Sequence, residues 1–302
     1  MIKLFLQKVA NSLGYQVNKI ETRPNRHYFL TSWDYQQKFV DTKAFRPDDI
    51  IVDFGCGNNP VPIANVLADF FPDDNFHRSG SISDQRPTVI CSLERIPFLN
   101  KSIRFAICSH VFEHLERPYT AGKELGRVAL SGLIETPAYG KDILVGTGYM
   151  HLWQIVSHEN KMHFFQYTQR QHEAHTLAPI MSYWGQANYH PWQEFFWERQ
   201  DLFNAIHVWN DSPDITEYRL SGSVTKPLGS WIPVSEDSLP QIPVSLNDRE
   251  IQLLERCLST PDGTLPMHYE PGFFVSSDGL VRYPVKGNRI YCELPDTSPV
   301  KL

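Results

Sequence analysis

Candidate reactive and ligand-binding residues concentrate in two stretches, 50–60 and 91–116. In the first, Ile50-Ile-Val-Asp53 runs into Phe-Gly55-Cys56-Gly57-Asn-Asn59-Pro60. An apolar run ending in a carboxylate and a glycine pair is how a parallel strand enters a ligand-binding turn. Glycine permits the sharp bend and leaves bare backbone for a ligand that a Cβ would obstruct. The full G-x-G-x-x-G of a dinucleotide fold and the G-K-S/T of a P-loop are both missing, so neither nucleotide reading is favoured. The second stretch carries Ser92, Leu93, Ser109, His110, Glu113 and His114. A neutral imidazole near pH 7 suits a general base. Two further clusters carry less. His172-Glu173-Ala174-His175 falls one residue short of H-E-x-x-H, with its histidines at i, i+3 and no third ligand evident, so no metal is expected. Residues 183–209 mix aromatic, amide and acidic side chains, with Arg199 the lone basic residue. That composition reads as a cap or partner interface rather than a nucleic-acid groove.

Short strands and one clear helix are expected to hold these residues in place. Val66-Leu-Ala-Asp69 reads as a second strand ending in a carboxylate, Val89-Ile-Cys91 as a third and Phe105–Ser109 as a fourth. A helix is expected from Arg117 or Pro118 to Arg127, and a fifth strand at Gly132–Thr136. Residues 60–65 suggest a short helix or turn. Strands alternating with helical segments predict an α/β fold, a doubly wound, mostly parallel sheet. The chain is expected to divide into an N-terminal helix and lead-in (1–45), a core (46–150), an aromatic-rich cap or substrate region (151–245) and a small C-terminal appendage (246–302). Residues 151–209 hold seven of the twelve histidines and five of the seven tryptophans, which marks the change of texture. An irregular, aromatic-rich C-terminal extension is therefore expected, with a helix near 246–258 and a hairpin around Lys286-Gly287-Asn288.

Bulk properties narrow the classes. With 302 residues the chain can bury a full core. A net charge of −6 gives no general electrostatic case for nucleic acid. Cys56, Cys91, Cys108, Cys257 and Cys292 are scattered, odd in number and nowhere C-x-x-C, which argues against a disulfide framework. No apolar run reaches the ~18–20 residues that span a bilayer, and the first residues are too quickly polar for a secretory signal. A soluble cytoplasmic protein is expected. Ile2, Leu4, Phe5, Val9 and Leu13 follow helical spacing among Lys3, Lys8 and Asn11, a short amphipathic helix suited to packing on the main domain or to weak membrane-surface contact.

Taken together, Asp53-Phe-Gly-Cys-Gly57 and the 91–116 stretch resemble the class I S-adenosylmethionine-dependent methyltransferases of the type 11 kind. The supporting motifs are Ile96-Pro-Phe98 after the third strand, Phe112-Glu-His-Leu115 after the fourth, and Glu124-Leu-Gly-Arg-Val128 leading to Gly132. The resemblance covers about 48–150, half the chain. It implies a Rossmann-like methyltransferase fold binding S-adenosylmethionine at the carboxyl ends of strands one and two. Gly55 and Gly57, with Cys56 and Asn59 completing the turn, would pass close to the methionyl and ribose groups. Asp69, backed by Asp73 or Asp74, would accept the ribose hydroxyls, and Asp53 would orient the turn or reach the cofactor's amino group through water. Ser92 would read the adenine amine beside Leu93, and Ser109 completes the set. His110 and His151 are the candidate catalytic residues. The implied reaction is methyl transfer to an oxygen or nitrogen of a small-molecule or glycan acceptor. Three positions depart from the family pattern: Asn59 replaces a third glycine, Ser92 an aspartate, and Arg104 an acid. A rival reading is a catalytically degenerate protein of the same fold, acting as a binding module. The tail around Tyr283-Pro-Val285 also resembles, faintly, small zinc-ribbon activators of methyltransferases, without their cysteines.

Overall fold

The structure, a computed structural model, describes residues 32–72, 82–138, 141, 151–168, 195, 199–221 and 244–293. The chain divides into two units, Met1–Leu30 and Thr31–Leu302. All that follows concerns the second. The N-terminal amphipathic stretch, Asp73, Asp74, the 172–175 cluster and much of 183–209 lie outside the described residues.

In chain order, α1 (Ser32–Gln36) leads to β1 (Ile51–Phe54), β2 (Val66–Asp69), β3 (Thr88–Ile90) and β4 (Phe105–Ser109). A single 3-10 turn (Phe112–His114) precedes α2 (Pro118–Val128) and β5 (Ser131–Pro137). Next come β6 (Trp153–His158), β7 (Lys161–Gln166), α3 (Gln200–Phe203), β8 (Asn204–Asn210) and β9 (Ile215–Tyr218). The chain continues through α4 (Asp248–Glu255), β10 (Met267–Glu270), β11 (Phe273–Ser276), β12 (Arg282–Lys286) and β13 (Arg289–Tyr291).

The main sheet is ordered β10-β11-β12-β13-β3-β2-β1-β4-β5-β8, with β1 to β5 all parallel. From β1 the chain winds outward to β2 and β3, then crosses back to β4 and winds the other way to β5. This is the doubly wound α/β arrangement, and it opens a crevice beyond the carboxyl ends of β1 and β4, where the winding reverses. The apolar strands are buried on both faces. Val52, Phe54, Ala68 and Cys108 pack in one cluster, while Ile51, Leu67, Ile107 and Leu133 pack in the other. That two-sided burial is why β1 and β2 lack polar alternation. A helix crosses from β4 to β5, but residues 60–65 form a turn rather than a helix. β8 runs antiparallel along all seven residues of β5.

Within 151–245 the described residues are not irregular. They supply β8 to the main sheet and build a separate three-stranded sheet, β6-β7-β9. The tail also enters the main sheet, since β13 pairs in parallel with β3 through Ile290 opposite Val89. The β12–β13 hairpin turns on Gly287-Asn288, and Gly287 has a φ of +64° that suits glycine. Helix α4 begins with a capping box in which Asn247 and Glu250 satisfy each other's backbone N–H. Among the described residues no helix is long and apolar enough to cross a membrane.

Candidate functional site

The expected site residues come together along one edge of the sheet, at the carboxyl ends of β1 to β4. Two buried acids knit the turn after β1. Asp53 Oδ2 accepts the Val61 N–H at 2.7 Å, and Asp69 Oδ2 accepts the Gly57 N–H at 3.0 Å. Asp69 Oδ1 accepts Phe71 N–H at 2.9 Å, and the N–H of Gly55 donates to Ala68 O at 2.7 Å. Gly55 and Gly57 have φ of +69° and +53°, so both need the freedom glycine has. Their open sides differ in use. A Cβ at Gly55 would lie 2.1 Å from Val111 Cγ2, so that bare backbone accommodates a packed valine. Gly57 is half-buried beside exposed Asn58 and Asn59, and its N–H is the one that Asp69 accepts. Burial pushes the Asp53 carboxyl up to about 7, against the opposing pull of the Val61 N–H and Arg86. The Arg86 guanidinium is engaged by Asp84 and by the carbonyls of Val61 and Ala64, which ties it to the same turn.

At the end of β3, Cys91 and Leu93 are buried and Ser92 is half-buried. Ser92 Oγ accepts the Glu94 N–H, while the Ser92 N–H faces Glu293 Oε2 at 3.4 Å. Glu293 follows β13, the strand paired with β3, and is only 5 % exposed. Burial pushes its carboxyl up to about 7 despite Arg95. A carboxyl therefore does stand beside Ser92, but it comes from a distant part of the chain. Residue order gives no sign of it.

β4 ends at Ser109, and His110 follows with a φ of +55°, a left-handed conformation that costs a non-glycine residue about 1–3 kcal/mol. Its N–H donates to Glu135 O at 2.9 Å, which fixes the bend. The His110 side chain is one-third exposed and lies between two fully buried carboxylates. Nδ1 is 3.2 Å from Glu113 Oε1, and Nε2 is 4.0 Å from Glu135 Oε1. Glu135 belongs to a buried polar chain the sequence did not reveal. The Gln36 amide donates to Glu135 Oε2 and to Ser109 Oγ, and Asn204 Nδ2 donates to Glu135 Oε1 at 2.6 Å. Lys141 Nζ donates to Asn204 Oδ1 at 2.5 Å. The lead-in helix α1 thus reaches the site through Gln36 and covers its β4–β5 side.

His151 is buried and lies against the turn after β4, with its ring centroid 4.8 Å from that of His114. Two bonds hold this approach: Leu152 N–H donates to Glu113 O at 2.8 Å, and Trp153 Nε1 donates to Leu115 O at 2.6 Å. Burial favours the neutral form of Glu113, but the surrounding His110, His114 and His151 outweigh it and hold its carboxyl down to about 2.

The donor set suits S-adenosylmethionine in its chemistry. Asp69 is an acid at the end of β2, and a carboxyl group is the acceptor chemistry that ribose hydroxyls take. The Glu293 carboxyl beside Ser92 is of the chemistry that would accept from an exocyclic amine.

No protein-family model matches the chain, and no curated protein matches it. Solved structures similar to it bear methyltransferase names. Geranyl diphosphate C-methyltransferase from Streptomyces coelicolor A3(2) is 10 % identical over 60 % of this chain and 79 % of its own, with a TM-score of 0.34. A Galdieria sulphuraria protein provisionally named a sarcosine dimethylglycine methyltransferase is 14 % identical over 61 % of this chain and 85 % of its own, with a TM-score of 0.33. A provisionally named methyltransferase from Bacillus halodurans C-125 is 16 % identical over 35 % of this chain, with a TM-score of 0.28, and the match spans 51 % of that protein. At such identities and scores the likenesses carry no argument about activity. The α/β assignment rests on the strand order itself.

Proposed function

We propose that the chain is an S-adenosylmethionine-dependent methyltransferase of the type 11 kind, acting in the cytoplasm on an oxygen or nitrogen of a small-molecule or glycan acceptor. The observation that carries this reading is convergence. Asp53, Gly57, Asp69, Ser92, Ser109 and His110 are spread over 58 residues of sequence, yet all stand at the carboxyl ends of β1 to β4, around the reversal of winding. S-adenosylmethionine, when bound, supplies an electrophilic methyl group on its sulfonium.

Asp69 accepts the ribose hydroxyls, and Gly57 with Cys56 and Asn59 lines the methionyl end. Leu93 and Ser92 border the adenine, where Glu293 takes the place of the family's aspartate. His110, held in a left-handed bend with its ring between Glu113 and Glu135, accepts the acceptor's proton. Methyl transfer mainly demands alignment and a desolvated nucleophile, so His151 serves by shaping the acceptor side. Removing a hydrogen bond to a charged group costs about 1.5–3 kcal/mol. Asp69→Ala is therefore expected to weaken S-adenosylmethionine binding by about 10- to 100-fold, measured by calorimetry. Unchanged affinity would remove the ribose assignment.

One observation favours the rival reading of a degenerate, non-catalytic binding module: Val111 fills the space above Gly55. That module would bind partners without consuming S-adenosylmethionine.

A further inference from the structure

The turn after β4 gathers more metal-ligating side chains than methyl transfer requires. One ligand atom from each of Glu113, His114 and His151 lies within 4.8 Å of the others. Glu113 is 1 % exposed, and its Oε1 sits 3.2 Å from His110 Nδ1 and 4.0 Å from His114 Nε2. Its other oxygen, Oε2, has no hydrogen-bond partner among the described residues. A buried carboxylate oxygen left without a partner is costly, and buried charges are generally paired or bound to metal.

We propose that Glu113, His114 and His151 bind a divalent first-row transition-metal ion, of which zinc is the representative. Two imidazoles and one carboxylate form a nitrogen-rich set that suits zinc, iron or manganese. It does not suit calcium or magnesium, which take oxygen ligands. In tetrahedral zinc sites the ligand atoms stand about 3.4 Å apart around an ion about 2.1 Å from each. The present spacing, up to 4.8 Å, exceeds that by about 1.4 Å, a gap for side-chain rotation to close. The 3-10 turn puts Glu113 and His114 side by side, and the bonds from Leu152 N–H to Glu113 O and from Trp153 Nε1 to Leu115 O bring His151 to them. His110 acts as the outer partner, its ring orienting the Glu113 carboxylate as outer hydrogen bonds orient ligands in metal sites. Three protein ligands leave a coordination position open, as in catalytic sites. It adjoins His110, one-third exposed at the mouth of β4. An acceptor oxygen bound there would ionise more readily, a role that rests on the methyl-transfer reading; the metal site itself does not.

The test uses the full chain, stripped with a chelator and titrated with zinc chloride by calorimetry, with cobalt absorption as a second readout. The proposal expects one equivalent bound at micromolar affinity or tighter, with visible cobalt bands. His114→Gln and His151→Gln should each weaken binding at least 100-fold, whereas His158→Ala, at a 71 % exposed side chain, should leave it unchanged. Should either glutamine variant lose its native circular dichroism, the cobalt bands of the wild-type chain and of Glu113→Gln decide the matter. No zinc binding, or binding indifferent to these variants, overturns the proposal. S-adenosylmethionine titrated into the same stripped protein separates the two claims. Zinc binding without cofactor binding sinks methyl transfer alone, and cofactor binding without zinc binding sinks the metal site alone.

Discussion

Asp53→Asn tests the physical account of the turn after β1. Asp53 is 3 % exposed, and its carboxyl rises from an ordinary 3.8 to about 7 because burial disfavours the charge. A rise of that size corresponds to about 4 kcal/mol of differential interaction. The sign follows from proton counting. Between pH 3.8 and about 7 the folded chain keeps the proton that the unfolded chain has released, so stability falls as pH rises through that window. Below it both states are protonated; above it both are ionised and the full cost is present. Asparagine is neutral throughout, and its amide oxygen can still accept the Val61 N–H now held at 2.7 Å. Urea denaturation across the window should show Asp53→Asn more stable than wild type by up to about 4 kcal/mol on its alkaline side, with the difference fading toward its acid side. The variant should keep a residual slope of the same sign, since Glu293 is also raised to about 7 by burial. A pH-independent difference, or a wild type more stable on the alkaline side, would refute the reasoning and mean that Arg86 keeps Asp53 ionised.

Three further perturbations probe the same edge of the sheet. Gly55→Ala combines a φ of +69° with a 2.1 Å approach to Val111 Cγ2, and should lower stability by about 1–3 kcal/mol or more; adding Val111→Ala should recover the contact part, leaving only the backbone strain. Glu135→Gln turns an amide toward the donors Gln36 Nε2 and Asn204 Nδ2, leaves a buried donor unmet and should cost about 1–3 kcal/mol in chemical denaturation. Glu293→Gln should weaken S-adenosylmethionine binding while leaving adenine-free sulfonium analogues unaffected, measured by competition; equal losses for both would place Glu293 outside an adenine site.

The strands that position the site were legible because their signals are local. Val66–Asp69 and Phe105–Ser109 are observed where the apolar runs put them, each stopping at a polar residue, and the helix predicted to end at Arg127 ends at Val128. What stayed hidden depends on contacts between distant residues. The hairpin around Lys286-Gly287-Asn288 was legible, but the pairing of its second arm, Arg289–Tyr291, with Thr88–Ile90 was not, since nothing local names so distant a partner. Gln36, Glu135 and Asn204 carry no spacing signal, because their meeting depends on the register of β5 against β8 and on where α1 docks. The same holds for His151, whose approach to Glu113 and His114 is made by the turn-to-strand bonds at Leu152 and Trp153. Gly55 was legible as a glycine but not in its use, since Val111 follows the fourth strand and covers it only in the folded chain.

Methyl transfer requires that the crevice at the carboxyl ends of β1 and β4 bind S-adenosylmethionine. Isothermal titration of the full chain with S-adenosylmethionine tests it most directly, paired with hydrogen exchange at the 55–61 turn. One equivalent should bind, with slowed exchange of the Gly57 amide. No heat at millimolar cofactor, with exchange at the turn unchanged, would contradict it.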